Sequence, residues 1–201
     1  TYSATDDNEK AMEIYTTTLK QVDEFGDKDG IASILNNIGI IYHKKGEHGK
    51  ALDYFTRSFE IEQMLNNKKM MANNLNNIGN IYLDRNDLEK ALEYYIQTFE
   101  IRKDLGDKFD LGRILTNLGI IFNKKNDYGK SLDYFTSSLK IKEEIDDIVG
   151  IGYTLLNLGV LYAHMCDYSK SLDCYTRSLK ITEDFGDKRG TEINLSNIGR
   201  I

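Results

Sequence analysis

The sequence contains no proline and no tryptophan among its 201 residues. Proline interrupts helices, so its absence from a chain of this length favours one helix after another. The turns between these helices are expected to use glycine, asparagine and aspartate. A β-sheet architecture is correspondingly disfavoured, and we predict an all-α fold.

Cysteine is scarce, with only Cys166 and Cys174 present. Their spacing matches no metal-binding or redox motif, which predicts structural thiols and a reducing, cytoplasmic location. No run of about 18 consecutive apolar residues occurs, so a membrane-spanning segment is not expected. We therefore expect no metal, no other cofactor and no membrane partner.

Positive charge is in deficit, because 26 lysines and arginines face 32 aspartates and glutamates, for a net charge of -6. Such a chain repels nucleic-acid phosphates, and no nucleic-acid partner is expected. The three histidines, His43, His48 and His164, have no spacing typical of a catalytic or metal site, and there is no glycine-rich phosphate loop. We predict that the protein is not an enzyme.

What the sequence does contain is a repeat of 40 residues. The stretch LNNIGIIY from Leu35 returns as LNNIGNIY from Leu75, LTNLGIIF from Leu115, LLNLGVLY from Leu155 and LSNIGRI from Leu195. A second stretch, KALDYF from Lys50, has equivalents at the same interval from Lys10 to Lys170. Two alternating helical patterns in each repeat, here named the first and the second helix, are typical of a solenoid whose units bury their apolar faces by stacking.

We predict a single array over residues 1–201, with full repeats at 27–66, 67–106, 107–146 and 147–186. Residues 1–26 are predicted to be a partial repeat, mainly a second helix, in which residues 1–6 are the tail of an interrupted first helix. Residues 187–201 are predicted to form a first helix alone. Because neither end carries a polar capping repeat, end-to-end self-association of the array is also expected.

Apolar and small residues recur with helical spacing in each repeat. In the first full repeat they are Leu35, Ile38, Gly39 and Tyr42 on the first helix and Ala51, Phe55 and Ser58 on the second. Each set shares one helix face, so the two faces are expected to meet. Glycine within a helix costs about 1 kcal/mol relative to alanine, yet every first helix has one at the register of Gly39. We expect the second helix to approach closely there.

These residues resemble the tetratricopeptide repeat (TPR), whose pattern places leucine, glycine and tyrosine on the first helix and small and aromatic residues on the second. This sequence departs from the pattern in its 40-residue period, against about 34 in the family, in Leu35 at the usual tryptophan, in Ser58 at the usual alanine, and in lacking proline. The longer repeat is most similar to Pins-type spindle-orientation adaptors, kinesin light chains and the sensor arms of bacterial signalling proteins. The resemblance implies an α-α superhelix of antiparallel helix pairs, with the first helices lining a concave surface.

Helical geometry places Asn37 outside the apolar face, on the side that lines the concave surface in this family. Asparagine is a mediocre helix former, yet it occupies this register in every repeat. These residues, named the ladder asparagines, are Asn37, Asn77, Asn117, Asn157 and Asn197. A carboxamide both donates and accepts hydrogen bonds and so suits the backbone of an extended peptide, as in similar TPR proteins. The alternative is that these amides bond to neighbouring helix backbones and stiffen the repeat junctions.

Neighbouring positions on the same side are expected to set the sequence preference of a bound peptide. They are Asn36, Asn76, Asn80, Ile40 and Ile120, with Lys44 and Lys124 at the ends of two first helices. The register of Asn36 never carries a cation, which disfavours the chaperone tails whose C-terminal carboxylate some TPR receptors clamp.

The sequence therefore predicts a protein-protein interaction module that binds an extended peptide or partner segment in the TPR groove. The alternative is a regulatory arm of a larger signalling protein, a histidine kinase or nucleotide cyclase, that controls an effector in the same chain.

Overall fold

The computed structural model describes residues 2–201, and the side chains of all of these except residues 2–9 and 23. This part of the chain forms ten α-helices and no strand, which confirms the predicted all-α solenoid of paired helices. The helices are α1 (Tyr2–Phe25), α2 (Lys28–Lys44), α3 (His48–Met64), α4 (Lys68–Asp84), α5 (Leu88–Asp104), α6 (Lys108–Lys124), α7 (Tyr128–Glu144), α8 (Ile148–His164), α9 (Tyr168–Asp184) and α10 (Lys188–Ile198).

The chain divides into two compact units, Thr1–Ile101 (unit 1) and Arg102–Ile201 (unit 2). In unit 1, α1 packs on α2, α2 on α3 and α3 on α4; in unit 2, each helix from α6 to α10 packs on the next. The first helices of consecutive repeats also touch, α2 with α4 in unit 1 and α6 with α8 in unit 2. Each unit thereby brings residues of equivalent register on adjacent first helices to the same side.

Each turn between helices contains one residue with a left-handed backbone. These residues are Gly26, Gly46, Asn66, Asn86, Gly106, Asn126, Asp146, Cys166 and Gly186. Glycine adopts this conformation readily, and asparagine and aspartate tolerate it better than other residues do. The predicted use of these three residue types in the turns is thus confirmed, with Cys166 (φ 59°) as the exception.

The first helices α2, α4, α6, α8 and α10 all begin with a side-chain cap. The capping residues are Asp27, Asn67, Asp107, Asp147 and Asp187, and each accepts a hydrogen bond from the backbone N–H three residues further on. Such a cap contributes about 1 kcal/mol to helix stability. The repeat boundaries are therefore encoded locally by an acidic or amide residue that follows the left-handed turn residue.

Helix α1 differs from the prediction. It runs without interruption from Tyr2 to Phe25, so the expected tail of a separate first helix over residues 1–6 is wrong for the described residues 2–6. A helix reversal is stabilised by the packing of the two helices that it joins. The described residues before Asp6 instead continue α1 without a turn.

The apolar face of each helix pair is buried as predicted. Leu35 of α2 and Phe55 of α3 are at most 1% exposed, and the Ser58 hydroxyl donates to the backbone oxygen of Ala32 (2.8 Å). A Cβ added to Gly39 would lie 2.7 Å from the Phe55 ring. The expected close approach of the second helix at this glycine is thus confirmed.

The same close approach occurs in unit 2, where it leads to a prediction for Gly119. A Cβ at Gly119 would lie 2.6 Å from the Phe135 ring, which is itself fully buried. We therefore expect Gly119→Ala to destabilise the protein by about 2 kcal/mol, because overpacking outweighs the gain in helix propensity. Urea unfolding followed by circular dichroism measures the change.

Gly129→Ala is the matched control, since its added Cβ would meet only Asp127 Oδ1 at 3.9 Å. Without a steric conflict, alanine is expected to stabilise α7 by about 0.5 kcal/mol. A shift of the same sign in both variants would show that close packing does not explain the glycine of the first helices.

Candidate functional site

The ladder asparagines lie on the first helices and are half-buried. Asn37 and Asn77 belong to the adjacent helices α2 and α4 of unit 1, whereas Asn117, Asn157 and Asn197 belong to α6, α8 and α10 of unit 2. Each unit thus carries its own row of amides, named the ladder face of that unit. The side chains are partly accessible to solvent, so a ligand can reach them.

The ladder amides make little use of their hydrogen-bonding capacity within the protein. Asn157 Nδ2 donates to the backbone oxygen of Tyr153, one turn earlier in α8 (2.8 Å). Among the residues that the structure describes, the amides of Asn37, Asn77, Asn117 and Asn197 have no hydrogen-bond partner. In this part of the chain, none of the five bonds to a neighbouring helix.

Asn36, next to the first ladder residue, has a different environment. It is 6% exposed, and its Nδ2 donates to Asn74 Oδ1 (2.7 Å). Asn74 in turn donates to the Ser58 hydroxyl (2.9 Å). This amide chain lies inside unit 1, between consecutive repeats, so the Asn36 amide is already paired within the protein.

The other predicted positions divide between the interior and the surface. Asn76 is half-buried, and Asn80 Oδ1 accepts a hydrogen bond from the Tyr95 hydroxyl (2.6 Å). Ile40 and Ile120 are half-buried and pack against the core clusters around Phe55 and Phe135, respectively. Lys44 and Lys124 are exposed at the ends of α2 and α6.

His43 and His164 each contact a residue of an adjacent first helix. His43 Nε2 lies 2.7 Å from Asp84 Oδ2, and His164 Nδ1 lies 2.9 Å from Asn123 Oδ1. The rings of His43 and His48 are 5.7 Å apart. These contacts lie at the C-terminal ends of the first helices. His43 and Asn123 are equivalent positions of the repeat, as are Asp84 and His164, so the two pairs correspond between the units.

The sequence-based predictions missed a buried polar register on the second helices. Glu62, Arg102, Lys142 and Thr182 occupy equivalent positions of α3, α5, α7 and α9, 40 residues apart. The first three are at most 2% exposed. The signal was present in the sequence, because a residue four positions after Ser58 lies on the same helix face. We name this set the junction register.

The members of the junction register have different electrostatic environments. Arg102 pairs with Asp107 (3.1 Å) and Asp110 (2.8 Å). Burial raises the pKa of Glu62, and the nearby Asp29 acts in the same direction. Burial lowers the pKa of Lys142 to about 8.

Both cysteines are free thiols, with Cys166 exposed and Cys174 buried. Burial raises the pKa of the Cys174 thiol to about 11, which makes it a poor nucleophile. Within the described residues, no cluster of three or more histidine, cysteine or acidic side chains is arranged to hold a metal ion. None of the helices in that part of the chain is both long and apolar enough to cross a membrane.

The family models identify the class of protein to which this helix arrangement belongs. A tetratricopeptide repeat model matches residues 1–63 and 70–144, and a second model of the same description matches residues 154–189. The first model alone matches more than half of the sequence, and the chain belongs to the tetratricopeptide repeat family. The TPR fold is in general a non-catalytic scaffold, and it makes the chain a protein-interaction module.

Several solved structures share this fold. BtubC from P. vanneervenii is 21% identical with a TM-score of 0.80, over 92% of this chain and 76% of BtubC. Aspartyl phosphate phosphatase F from Bacillus subtilis is 14% identical with a TM-score of 0.84, over 98% of this chain and 52% of that chain. A Rap protein complexed with competence and sporulation factor is 18% identical with a TM-score of 0.80, over 93% and 52% of the two chains.

These identities establish similarity of fold alone. The chain spans about half the length of the phosphatase and of the Rap protein. A comparison with curated proteins finds no match.

Proposed function

We propose that the ladder faces bind an extended peptide segment of a partner protein, with the ladder asparagines contacting the peptide backbone. The observation that carries the proposal is the contrast between two sets of asparagines on the same helices. The amides of Asn36, Asn74 and Asn194 are buried and hydrogen-bonded within the protein. The ladder amides are half-exposed and form no bond between helices within the described chain.

The chemistry of the ladder suits this role. A carboxamide offers two donors and one acceptor, and a peptide bond offers one of each, so amide and peptide can pair whatever the peptide side chains are. Adjacent first helices lie side by side within each unit, so an extended chain that crosses them meets one amide per repeat. A Rap conjugation gene regulator that shares this fold forms a complex with the Phr* peptide, which supports a peptide as the ligand.

The test begins with a random peptide library displayed on phage and selected against the full chain. We expect replacement of Asn117 and Asn157 by alanine to weaken a selected peptide by about 30-fold or more. The two amides can form up to four hydrogen bonds to a peptide backbone, each contributing about 1 kcal/mol. Isothermal titration calorimetry measures the affinity.

Thr136→Ala with Thr176→Ala is the control, because both threonines are exposed on second helices of unit 2 and donate only to their own helix. This pair is expected to leave the affinity unchanged. Thermal melts of both double variants should stay close to that of the parent protein, since alanine is a good helix former. A large fall in melting temperature with unchanged affinity would instead make the ladder amides structural.

A second candidate function is the regulatory arm of a larger signalling protein. It is supported by the shared fold of a signal transduction ATPase with a tetratricopeptide repeat sensor from Pyrococcus horikoshii, which is 16% identical with a TM-score of 0.81. The match covers 96% of this chain and 32% of that protein. Sequencing the complete reading frame distinguishes the two functions, because an effector domain in the same frame favours the arm and its absence favours an adaptor.

A further inference from the structure

Unit 2 contains an open cleft of about 480 Å³ between α8, α9 and α10. Tyr153 and Leu156 of α8, Thr182 of α9 and Ile193 of α10 line it. On α8, Tyr153 lies four residues before the ladder residue Asn157, and Leu156 lies one residue before it. The cleft therefore opens beside the ladder face of unit 2. Most of the side chains that line the cleft are apolar, and a few are polar or charged.

The preceding junction of unit 2 shows what fills the equivalent space. There the stem of Lys142 lies against Gly112, and its Nζ donates to Thr116 Oγ1 (2.9 Å), Thr154 Oγ1 (2.8 Å) and the backbone oxygen of Gly150 (3.3 Å). The ammonium is enclosed by three neutral oxygens, and the four-carbon stem occupies the apolar path to them. A lysine side chain thus fills the equivalent space at this preceding junction.

At the next junction, 40 residues later, the lysine is replaced by Thr182, whose side chain is too short to fill the same space. The counterparts of Gly112, Thr116 and Gly150 are Gly152, Leu156 and Gly190, and all three line the cleft. The cleft therefore lies where the Lys142 side chain lies one repeat earlier. All of its walls belong to α8, α9, α10 and the turn that joins the last two.

One buried hydrogen-bond acceptor in this junction has no donor within the described structure. Asn194, the counterpart of Thr154, is fully buried, and its Nδ2 donates to Ser178 Oγ and the backbone oxygen of Gly190, both at 3.0 Å. Its Oδ1 is buried without a hydrogen-bond partner in the described structure. A buried acceptor in this state carries a desolvation cost of about 1–3 kcal/mol, which a donor from a ligand would remove.

Unit 1 shows where this oxygen points. Asn74, in the register of Asn194, donates to Ser58 and Met70 in the same way, and its Oδ1 accepts from Asn36. The residue in the register of Asn36 in unit 2 is Leu156, which has no donor. Asn194 Oδ1 therefore faces the Leu156 side chain, which separates it from the cleft.

We propose that this cleft binds a lysine side chain of the peptide on the unit 2 ladder face. The stem lies along Gly152, and the ammonium donates to Asn194 Oδ1 and the Gly190 backbone oxygen when Leu156 turns towards solvent. The proposal deepens the function proposed above and rests on it, because the lysine belongs to the bound peptide. The preference of the ladder face for lysine at this position then comes from the short side chain of Thr182 in the junction register.

The charges around the cleft are consistent with a cation as the occupant. Asp187, which lines the cleft, caps α10 as Asp147 caps α8, and Asp147 favours the charged form of Lys142. Arg189 also lines the cleft, but its side chain is exposed and can extend into water. An anionic ligand would meet the Asp187 carboxylate and leave the Asn194 acceptor unsatisfied, so an anion fits this site poorly.

The test uses two small probes on the full chain, Nα-acetyl-lysine N-methylamide and its norleucine analogue, which has a similar stem without the ammonium. Binding is followed by NMR of the Gly152 and Gly190 backbone amides and the Asn194 side-chain amide. We expect saturable shifts with the lysine probe and about tenfold weaker binding of the norleucine probe, as befits a charge-assisted hydrogen bond.

Two substitutions of Leu156 are expected to act in opposite directions. Leu156→Asn recreates the amide pair of unit 1, satisfies Asn194 Oδ1 and should weaken the lysine probe. Leu156→Ala leaves the acceptor unpaired and uncovers it, and should strengthen the same probe. A structural effect of losing Leu156 alone would move both variants in one direction, which would overturn the proposal.

Thr182→Lys supplies the occupant from the chain itself. It is expected to abolish lysine-probe binding and to shift the Asn194 side-chain amide in the absence of ligand. Thr176→Lys adds the same charge on the exposed side of α9 and should do neither. Equal binding of both probes, or no saturable shift with lysine, would refute the lysine site even if Asn117 and Asn157 prove essential for peptide binding.

Discussion

Replacing Asp110 by alanine is expected to destabilise the protein by about 3 kcal/mol, more than replacing its buried partner Arg102 by methionine. Arg102 is 2% exposed and contacts Asp110 at 2.8 Å and Asp107 at 3.1 Å. Removing one carboxylate leaves a buried guanidinium with reduced compensation, whereas an apolar side chain of similar length needs none. Urea unfolding of the three proteins gives the free energies.

Arg113→Ala serves as the control for this prediction, because Arg113 also contacts Asp110 (3.1 Å) but its side chain is 57% exposed. Exposed ion pairs contribute about 0–1 kcal/mol, so this variant should unfold almost like the parent. The double variant Arg102→Met with Asp110→Ala should be more stable than Asp110→Ala alone. If Asp110→Ala costs no more than Arg113→Ala, the buried pair is not a stability determinant.

The second large effect is a dependence of stability on pH that comes from Lys142. Burial is the main cause that lowers its pKa to about 8, while Asp147 opposes and Arg113 assists the shift. Between this value and the ordinary value of 10.5, the unfolded chain binds more protons at this site than the folded protein does. The free energy of unfolding therefore rises with pH between about 8 and 10.5. This gain in stability is absent below about pH 8.

The comparison with Lys142→Met isolates this contribution from the other titrating groups. The stability of the parent relative to the variant should rise by about 2 kcal/mol from pH 7 to about pH 9.5, towards a maximum of about 3 kcal/mol. Lys140→Met, on the exposed side of α7, should show no such trend. If the difference in unfolding free energy between the parent and Lys142→Met stays constant with pH, Lys142 has the same protonation in the folded and the unfolded state.

The fold was predictable because local and repeated signals agree. Left-handed turn residues, caps and the glycine of the first helix recur every 40 residues, and each has a local physical cause. The exception is α1, where the repeat pattern predicted an interruption near Asp6 but the helix runs without a break from Tyr2 to Phe25. The 40-residue period thus located the regular helices correctly but did not reveal the departure from the pattern in α1.

The candidate site was predictable only in part, because its chemistry depends on contacts between repeats. Asn36 and Asn37 are adjacent in sequence and chemically identical, yet Asn36 is bonded to Asn74, 38 residues away. Sequence spacing placed both near the ligand face, and only the packing of α2 against α4 separates them. The cleft was likewise hidden, because it arises where the short Thr182 occupies a register whose other members have long side chains.

The buried polar contacts between repeats bear on how the chain assembles. Repeats this similar in sequence can stack out of order during folding, a characteristic failure of repeat proteins. Each junction here has its own buried polar contacts: an amide pair at Asn74, an ion pair at Arg102 and an enclosed ammonium at Lys142. If α4 stacked on α8 in place of α2, Asn74 would face Leu156 and lose its donor. We therefore expect these buried polar contacts to favour one order of stacking among repeats that share a sequence pattern.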